Sequence, residues 1–457
     1  MSGKRQKIQL ELAFANGVTG EARSAERKGT EPTLARYEAE RLAESEGLME
    51  AVCEAKNLKQ ALRKVKSNGG SAGIDGMNVE ELAGWLIGNW TTIREQLLTG
   101  RYEPTAVKRV EIAKPDGGTR KLGIPTVKDR FVQQAVLQVL QRIWEPWFSE
   151  SNFGFRPNRS AHGAVEAAQR YIREGRRWVV DIDLEKFFDR VNHDRLMARV
   201  STRVRDKRML GLIRGFLTAG VLEGGLKSAS EEGTPQGGPL SPLLSNIVLD
   251  ELDQELEKRG HAFVRYADDC NIYVRSERAG KRVMRSLQRL ITDRLRLRVN
   301  ESKSAVDRPY RRKFLGFSFT SQTAARRRIA PKALERFKTR IRELTQRRRG
   351  RPVGEIIREL NLYLNGWKGY FAFCETPSVL RGLDGWIRRK LRCYIWRQWK
   401  TARKRQNALL HLGVRPTLAR GLGVSRKGPW RISDALDTIL PPAYFDSLGL
   451  TRLSAKA

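Results

Sequence analysis

Two adjacent aspartates, Asp268 and Asp269, stand between the β-rich runs Phe263-Val264-Arg265-Tyr266 and Cys270-Asn271-Ile272-Tyr273-Val274. A turn accounts well for one of them, because Asp tolerates turn geometry and accepts local backbone hydrogen bonds. Two neighbouring carboxylates repel each other unless a cation lies between them, so the pair reads as a hairpin tip that holds metal. A further acid ends the run Trp178-Val179-Val180-Asp181-Ile182-Asp183, which reads as a strand. If Asp183 meets the hairpin acids on a neighbouring strand, the three carboxylates make the cluster that two Mg²⁺ ions, about 3.5 to 4 Å apart, need for in-line displacement at phosphorus. Asp181 shares a side of that strand with Asp183 by the two-residue period, but it reads as a salt-bridge partner of nearby basic residues.

Other strings fit the same chemistry. Gly233-Thr234-Pro235-Gln236-Gly237-Gly238-Pro239-Leu240-Ser241-Pro242 places paired glycines before an apolar segment, where backbone can approach a ligand closely. Lys114-Pro115-Asp116-Gly117-Gly118-Thr119-Arg120 reads as a β-hairpin turn with a cation on each flank, suited to clamping a triphosphate. The four histidines and four cysteines show neither metal spacing nor a Cys-x-x-Cys pair, so a bound metal is expected on carboxylates. His193, in Asn192-His193-Asp194, reads as part of a turn and helix cap without a catalytic role.

These residues need elements to hold them. Residues 1–70 are charged and mostly helical in pattern and read as an N-terminal extension ending at Ser67-Asn68-Gly69-Gly70-Ser71. From 71 to 325 short β-rich runs alternate with helical patterns, as in an α/β or α+β domain. Ser160 is placed to cap a helix whose Val165, Ala168 and Ile172 share a face. From 326 to 400 the pattern becomes three amphipathic helices: Leu334, Phe337, Ile341 and Leu344 on the first, Ile357, Leu360 and Leu364 on the second, Leu380, Leu383, Ile387 and Leu391 on the third. The stretch Trp386 to Arg405 holds nine Lys or Arg and no acid, interleaved with Trp386, Trp396 and Trp399, a pattern expected to stack on bases and pair with phosphates. Residues 401–457 read as a small basic, DNA-binding-like region.

The 457 residues carry 87 Lys plus Arg against 51 Asp plus Glu, a formal charge of +36. That excess calls for a polyanionic partner, since self-repulsion otherwise opposes the compact state. Nucleic acid is the expected partner. No apolar run approaches the ~18 to 20 residues of a membrane span, so no membrane association is expected and the location is expected to be cytoplasmic.

Taken in order, eight strings resemble the reverse transcriptases encoded by bacterial group II introns, the intron maturases, over residues 70 to 450. They are Lys114 to Arg120 with Leu122-Gly123-Ile124-Pro125, Phe153-Gly154-Phe155-Arg156-Pro157, Asp183 to Asp189, Thr234 to Pro242, Tyr266 to Asp269, Asn300-Glu301-Ser302-Lys303, Phe314-Leu315-Gly316-Phe317 and Gly366-Trp367-Lys368-Gly369-Tyr370-Phe371. The resemblance implies a right-hand polymerase: fingers and palm with an antiparallel sheet, then an α-helical thumb. It implies that Asp183, Asp268 and Asp269 bind two Mg²⁺ ions. Phe188 would be the gate that rejects a ribose 2′-OH, Gln236 a nucleotide contact, Lys114 and Arg120 phosphate contacts, and Lys303 the proton donor to departing pyrophosphate. The expected partners are group II intron RNA, an RNA template with a DNA primer, dNTPs and target DNA. Many relatives carry a C-terminal nuclease of the His-Asn-His type; with one histidine, His411, and no cysteine after Cys393, that nuclease is expected to be absent. The alternatives are a splicing maturase without significant polymerase activity and a domesticated enzyme of defence or repair.

Overall fold

The runs rich in β-branched and aromatic residues form short strands. They are β1 (Val107–Ala113), β2 (Thr119–Ile124), β3 (Trp178–Ile182), β4 (Val221–Glu223), β5 (Leu226–Ser228), β6 (Ala262–Tyr266), β7 (Asp269–Val274), β8 (Ala305–Asp307), β9 (Phe317–Phe319) and β10 (Arg327–Ile329). The computed structural model describes residues 47–113, 119–223, 226–228, 232–234, 237–346 and 350–455. The chain divides into two units, one of residues up to 164 and 179–306, the other of residues 165–178 and 307 onward.

In the first unit one sheet runs β2-β1-β4-β5 and a second runs β6-β7-β3-β8. β1 and β2 pair antiparallel with Ala113 opposite Thr119, as the expected hairpin requires, whereas β1 and β4 pair parallel. Val179, Val180 and Ile182 of β3 are buried, as are Cys270 to Val274 of β7, so both central strands are covered in the manner of a sheet packed by helices. The helix Val127–Trp144 is buried on nearly all sides, and several of its polar residues bond to neighbouring elements of the unit. Gln138 donates to Asn57 Oδ1 at 2.7 Å and Asn57 donates to the Ala135 carbonyl at 3.1 Å. Those bonds fasten the helix Ala55–Asn68, with buried Leu58, Ala61, Leu62 and Val65, into the unit. The last part of the expected N-terminal extension is therefore core; residues 1–46 lie outside the described residues.

In the second unit the three expected helices are Pro331–Leu344, Val353–Phe371 and Pro377–Gln398. Phe337, Ile341, Ile357, Leu360, Leu364, Leu383, Ile387 and Leu391 make one buried cluster among them. The basic helix expected to continue to Arg405 instead stops at Gln398, and a new helix starts at Ala402, where the Thr401 side chain accepts from the Lys404 amide. Trp396 is 1% exposed and packs with Leu409, Ala419, Ile432 and Leu436. One of the three tryptophans expected to stack on bases is thus a core residue, because the tail folds back over that face of its helix. Trp386 remains half-buried, with Lys390, Arg342 and Lys338 within 5.5 to 6.0 Å of its ring centre. Among the described residues no helix is long and apolar enough to cross a membrane.

Candidate active site

β6 and β7 form the expected hairpin, with Tyr266 opposite Asp269. Asp268 occupies the turn, and Asp269 is already the first residue of β7. Ala267 takes the left-handed conformation, φ 57°, which a residue with a Cβ adopts only when its surroundings impose it. Those surroundings are well defined. Arg265, fully buried, pairs with Asp253 through two hydrogen bonds of 2.7 and 2.5 Å, and its third nitrogen donates to Asn246 Oδ1 at 3.0 Å and to the Ala267 carbonyl at 2.9 Å. Burial works against the charge on Arg265, but the Asp253 carboxylate holds the guanidinium above its ordinary value. Against the side of the turn lies Gly154, where an added Cβ would stand 2.2 Å from the Ala267 nitrogen; only glycine permits that approach. Asn246 donates to the Gly154 carbonyl at 2.8 Å and so ties the loop to the same network.

Asp183 follows β3 and is held by a segment more than a hundred residues away. Its amide donates to Ser304 Oγ at 3.0 Å, and its carbonyl accepts from the Asn300 amide at 2.8 Å. The same tight turn, closed by Ser304 and Lys303 amides on the Asn300 carbonyl, brings Lys303 Nζ to 3.4 Å from Asp183 Oδ2. Asp183 Oδ2 is buried and accepts no hydrogen bond among the described residues. Burial pushes the Asp268 carboxyl above the usual carboxylate range, and the negative charge of Asp183 adds to that shift, while Arg120 and Arg265 oppose it. A buried carboxylate oxygen that accepts no hydrogen bond and has only the Lys303 ammonium near it among the described residues, beside a second carboxyl whose charge is disfavoured, is a donor set that a hard divalent cation satisfies. Asp183 and Asp268 would hold it. Asp269 is exposed and is not among the residues lining the cleft, and no group of three potential ligands is gathered among the described residues. On the neighbouring strand Asn271, with its amide oriented to suit both acceptors, donates to Asp181 Oδ1 at 2.9 Å.

Asp183, Asp268, Lys303, Arg120 and Phe188 line one cleft of about 780 Å³. Phe188 and Arg120 also line an adjoining pocket of about 630 Å³ with Phe155 and Gly237. After Asp183 the chain turns at Lys186, φ 48°, into a single 3₁₀ turn Phe187–Asp189, where buried Phe187 supports Phe188 edge to face at 5.2 Å. Lys114 and Gln236 lie outside the described residues. Sequence reasoning did not single out Arg265, Gly154 and Ser304 as supports, although all three adjoin or sit within quoted strings. Arg156, in one of those strings, is structural: its guanidinium pairs with Glu145 at 2.8 Å and donates to the Asn152 carbonyl at 3.0 Å.

Comparison with known proteins matches two segments of the chain to known families. Residues 112–319 match the family described as reverse transcriptase (RNA-dependent DNA polymerase). Residues 334–411 match the group II intron, maturase-specific domain. Protein YkfC of Escherichia coli K12 is 34% identical over 299 residues, which are 57% of this chain and 78% of that one. The group II intron-encoded protein LtrA of Lactococcus lactis is 43% identical over 163 residues, 35% of this chain and 27% of LtrA. A solved chain of a partial Cas6-RT-Cas1–Cas2 complex is 24% identical with a TM-score of 0.35, covering 54% of this chain and 42% of that one. The chain belongs to the group II intron-encoded reverse transcriptases, with an RNA-dependent DNA polymerase domain followed by a maturase-specific domain. Enzymes of this family use divalent metal ions and act on nucleic acid.

Proposed function

We propose that the cleft is the site at which dNTPs are added to a primer 3′-OH on an RNA template, with residues 71–325 as fingers and palm, 326–400 as thumb and 401–457 as an accessory basic region. The observation that carries this reading is the meeting of Asp183 and Asp268 in one cleft across 85 positions of sequence, one with a buried oxygen that accepts no hydrogen bond and faces only the Lys303 ammonium among the described residues, the other with its charge raised in cost. Asp183, Asp268 and Asp269 would hold Mg²⁺, the first two from the cleft lining. Two such ions, when bound, favour ionisation of the 3′-OH and neutralise the leaving pyrophosphate.

The protein's own groups position and select. Arg120, which lines the cleft, attracts the triphosphate together with Lys114. Phe188, which lines the cleft, serves as the gate against a ribose 2′-OH, with Gln236 as a nucleotide contact. Lys303 Nζ, at the mouth beside Asp183, gives its proton to a pyrophosphate oxygen as the bond to the α-phosphorus breaks. With a net charge of +36 the chain also neutralises the repulsion that opposes compact RNA, which supports binding to its own intron RNA during splicing and to target DNA in mobility. Primer extension on an RNA template with Mg²⁺ tests the reading: extension by the wild type and its loss in Asp268→Asn is the expected result, and extension by that variant sinks the site. The separation of Asp269 from the cleft lining favours a second reading, an RNA-binding maturase without significant synthesis; absence of extension by the wild type, with intron RNA still bound, selects it.

A further inference from the structure

The gate residue is not held by its own turn alone. Residues 188–193 lie against residues 232–234, the strand-like approach to Gln236. The Thr234 amide donates to the Phe188 carbonyl at 2.7 Å, and the Gly233 amide donates to the Val191 carbonyl at 2.8 Å. Asn192 and Glu232 form an antiparallel bridge. Gly233 has φ 90°, and a Cβ there would stand 2.8 Å from the Phe188 oxygen, so the two backbones approach as closely as glycine allows. One side chain closes this clip. His193, 5% exposed at the first position of the helix His193–Ser201, places Nε2 at 2.6 Å from the Gly233 carbonyl. A carbonyl only accepts, so the Nε2 proton makes the bond. The helix that carries His193 is itself anchored, because the Asn192 side chain accepts from the Arg195 amide at 2.9 Å.

We propose that His193 is a positioning residue for sugar selectivity: by holding the Gly233 carbonyl it sets how far Phe188 reaches toward the nucleotide sugar. This rests on the reading of Phe188 as the gate. Steric rejection depends on where the ring is held, because a displacement of about 1 Å relaxes the clash that excludes a hydroxyl. His193 touches no reacting atom. Its effect passes through Gly233 to the Thr234 amide and the Phe188 carbonyl, and through Gly233 to the segment two residues short of Gln236.

The test compares incorporation of dNTP and rNTP opposite the same template base in the full-length protein. The ratio of the two kcat/KM values is measured for wild type, Phe188→Ala, His193→Phe and His193→Gln. Phenylalanine keeps the ring volume without a donor, whereas glutamine offers a donor to the same carbonyl. The expected result is a discrimination ratio about tenfold lower in His193→Phe, a larger fall in Phe188→Ala, and a ratio within about twofold of wild type in His193→Gln. An unchanged ratio in His193→Phe, while Phe188→Ala loses discrimination, overturns the proposal. So does an equal loss in His193→Gln with a wild-type melting temperature, since the donor would then be irrelevant. An unchanged ratio in Phe188→Ala overturns the gate reading itself, and the proposal with it. If His193→Phe does not yield folded protein, His193→Ala replaces it with the same two outcomes.

Discussion

The β6–β7 and β1–β2 hairpins of the first unit are built on opposite principles. At the β6–β7 tip nearly every constraint is buried: the Arg265–Asp253 pair is wholly excluded from water, and glycine backbone presses on the turn. Along β1 and β2 the residues nearest the turn, Glu111 to Ala113 and Thr119 to Lys121, are exposed, and the Lys121–Glu111 pair is half open to solvent. Carboxylates that must share a cation have to be desolvated and placed accurately, and only a packed scaffold does that. Cations that attract a triphosphate act through charge over several ångströms and tolerate movement. The acids are therefore expected to be intolerant of small structural changes, and the cationic hairpin tolerant of them.

Asp268→Asn is the strongest test of that contrast. It should lower primer extension on the order of 10³-fold or more while RNA affinity stays within about twofold. The same substitution should raise the melting temperature of the metal-free protein at pH 7. Asp268 has its carboxyl raised in the fold, so its charged form costs stability once pH exceeds the ordinary carboxylate value, and that cost vanishes at lower pH where the group is protonated in both states. A melting temperature that is unchanged or lowered at pH 7 would contradict the burial of this acid.

Breaking the support beneath the turn comes next. Asp253→Asn leaves Arg265 buried without its counter-charge and should cost about 3 to 5 kcal/mol in denaturant unfolding. The double variant Asp253→Leu with Arg265→Met should recover much of that stability but not the synthesis, because removing Arg265 takes away the donor to the Ala267 carbonyl. Recovery of both would mean that the network stabilises without positioning.

Smaller effects sharpen the other side. Lys303→Ala should slow synthesis about 10²-fold with little change in nucleotide affinity, as loss of a proton donor predicts. Arg120→Ala should raise the KM for dNTP by about tenfold, and less so at high salt, where screening weakens the wild-type contact as well. A loss from Arg120→Ala as complete as that from Asp268→Asn breaks the comparison. Mildest of all is a pH dependence. Protons compete with metal for Asp268, so the Mg²⁺ concentration needed for half-maximal activity should rise as pH falls toward the raised carboxyl value, and should do so at a higher pH than an ordinary aspartate would give.

Much of this protein could be read from residues within a few positions of one another. The β6–β7 hairpin, the β1–β2 hairpin, the Ser160 cap, whose Oγ accepts from the Gly163 amide at 3.1 Å, and the three-helix bundle follow from periodicity, turn chemistry and capping, which are local. The candidate acids were legible for the same reason. What tertiary structure alone decided is which partners those residues meet: that Asp268 shares a cleft with Asp183 while Asp269 opens a strand, that Ser304 holds the Asp183 backbone from 121 positions away, that His193 reaches Gly233, and that Trp396 is buried beneath the tail. Such pairings depend on how whole elements pack, and a side chain's neighbours across hundreds of residues leave no trace in the spacing of its own segment.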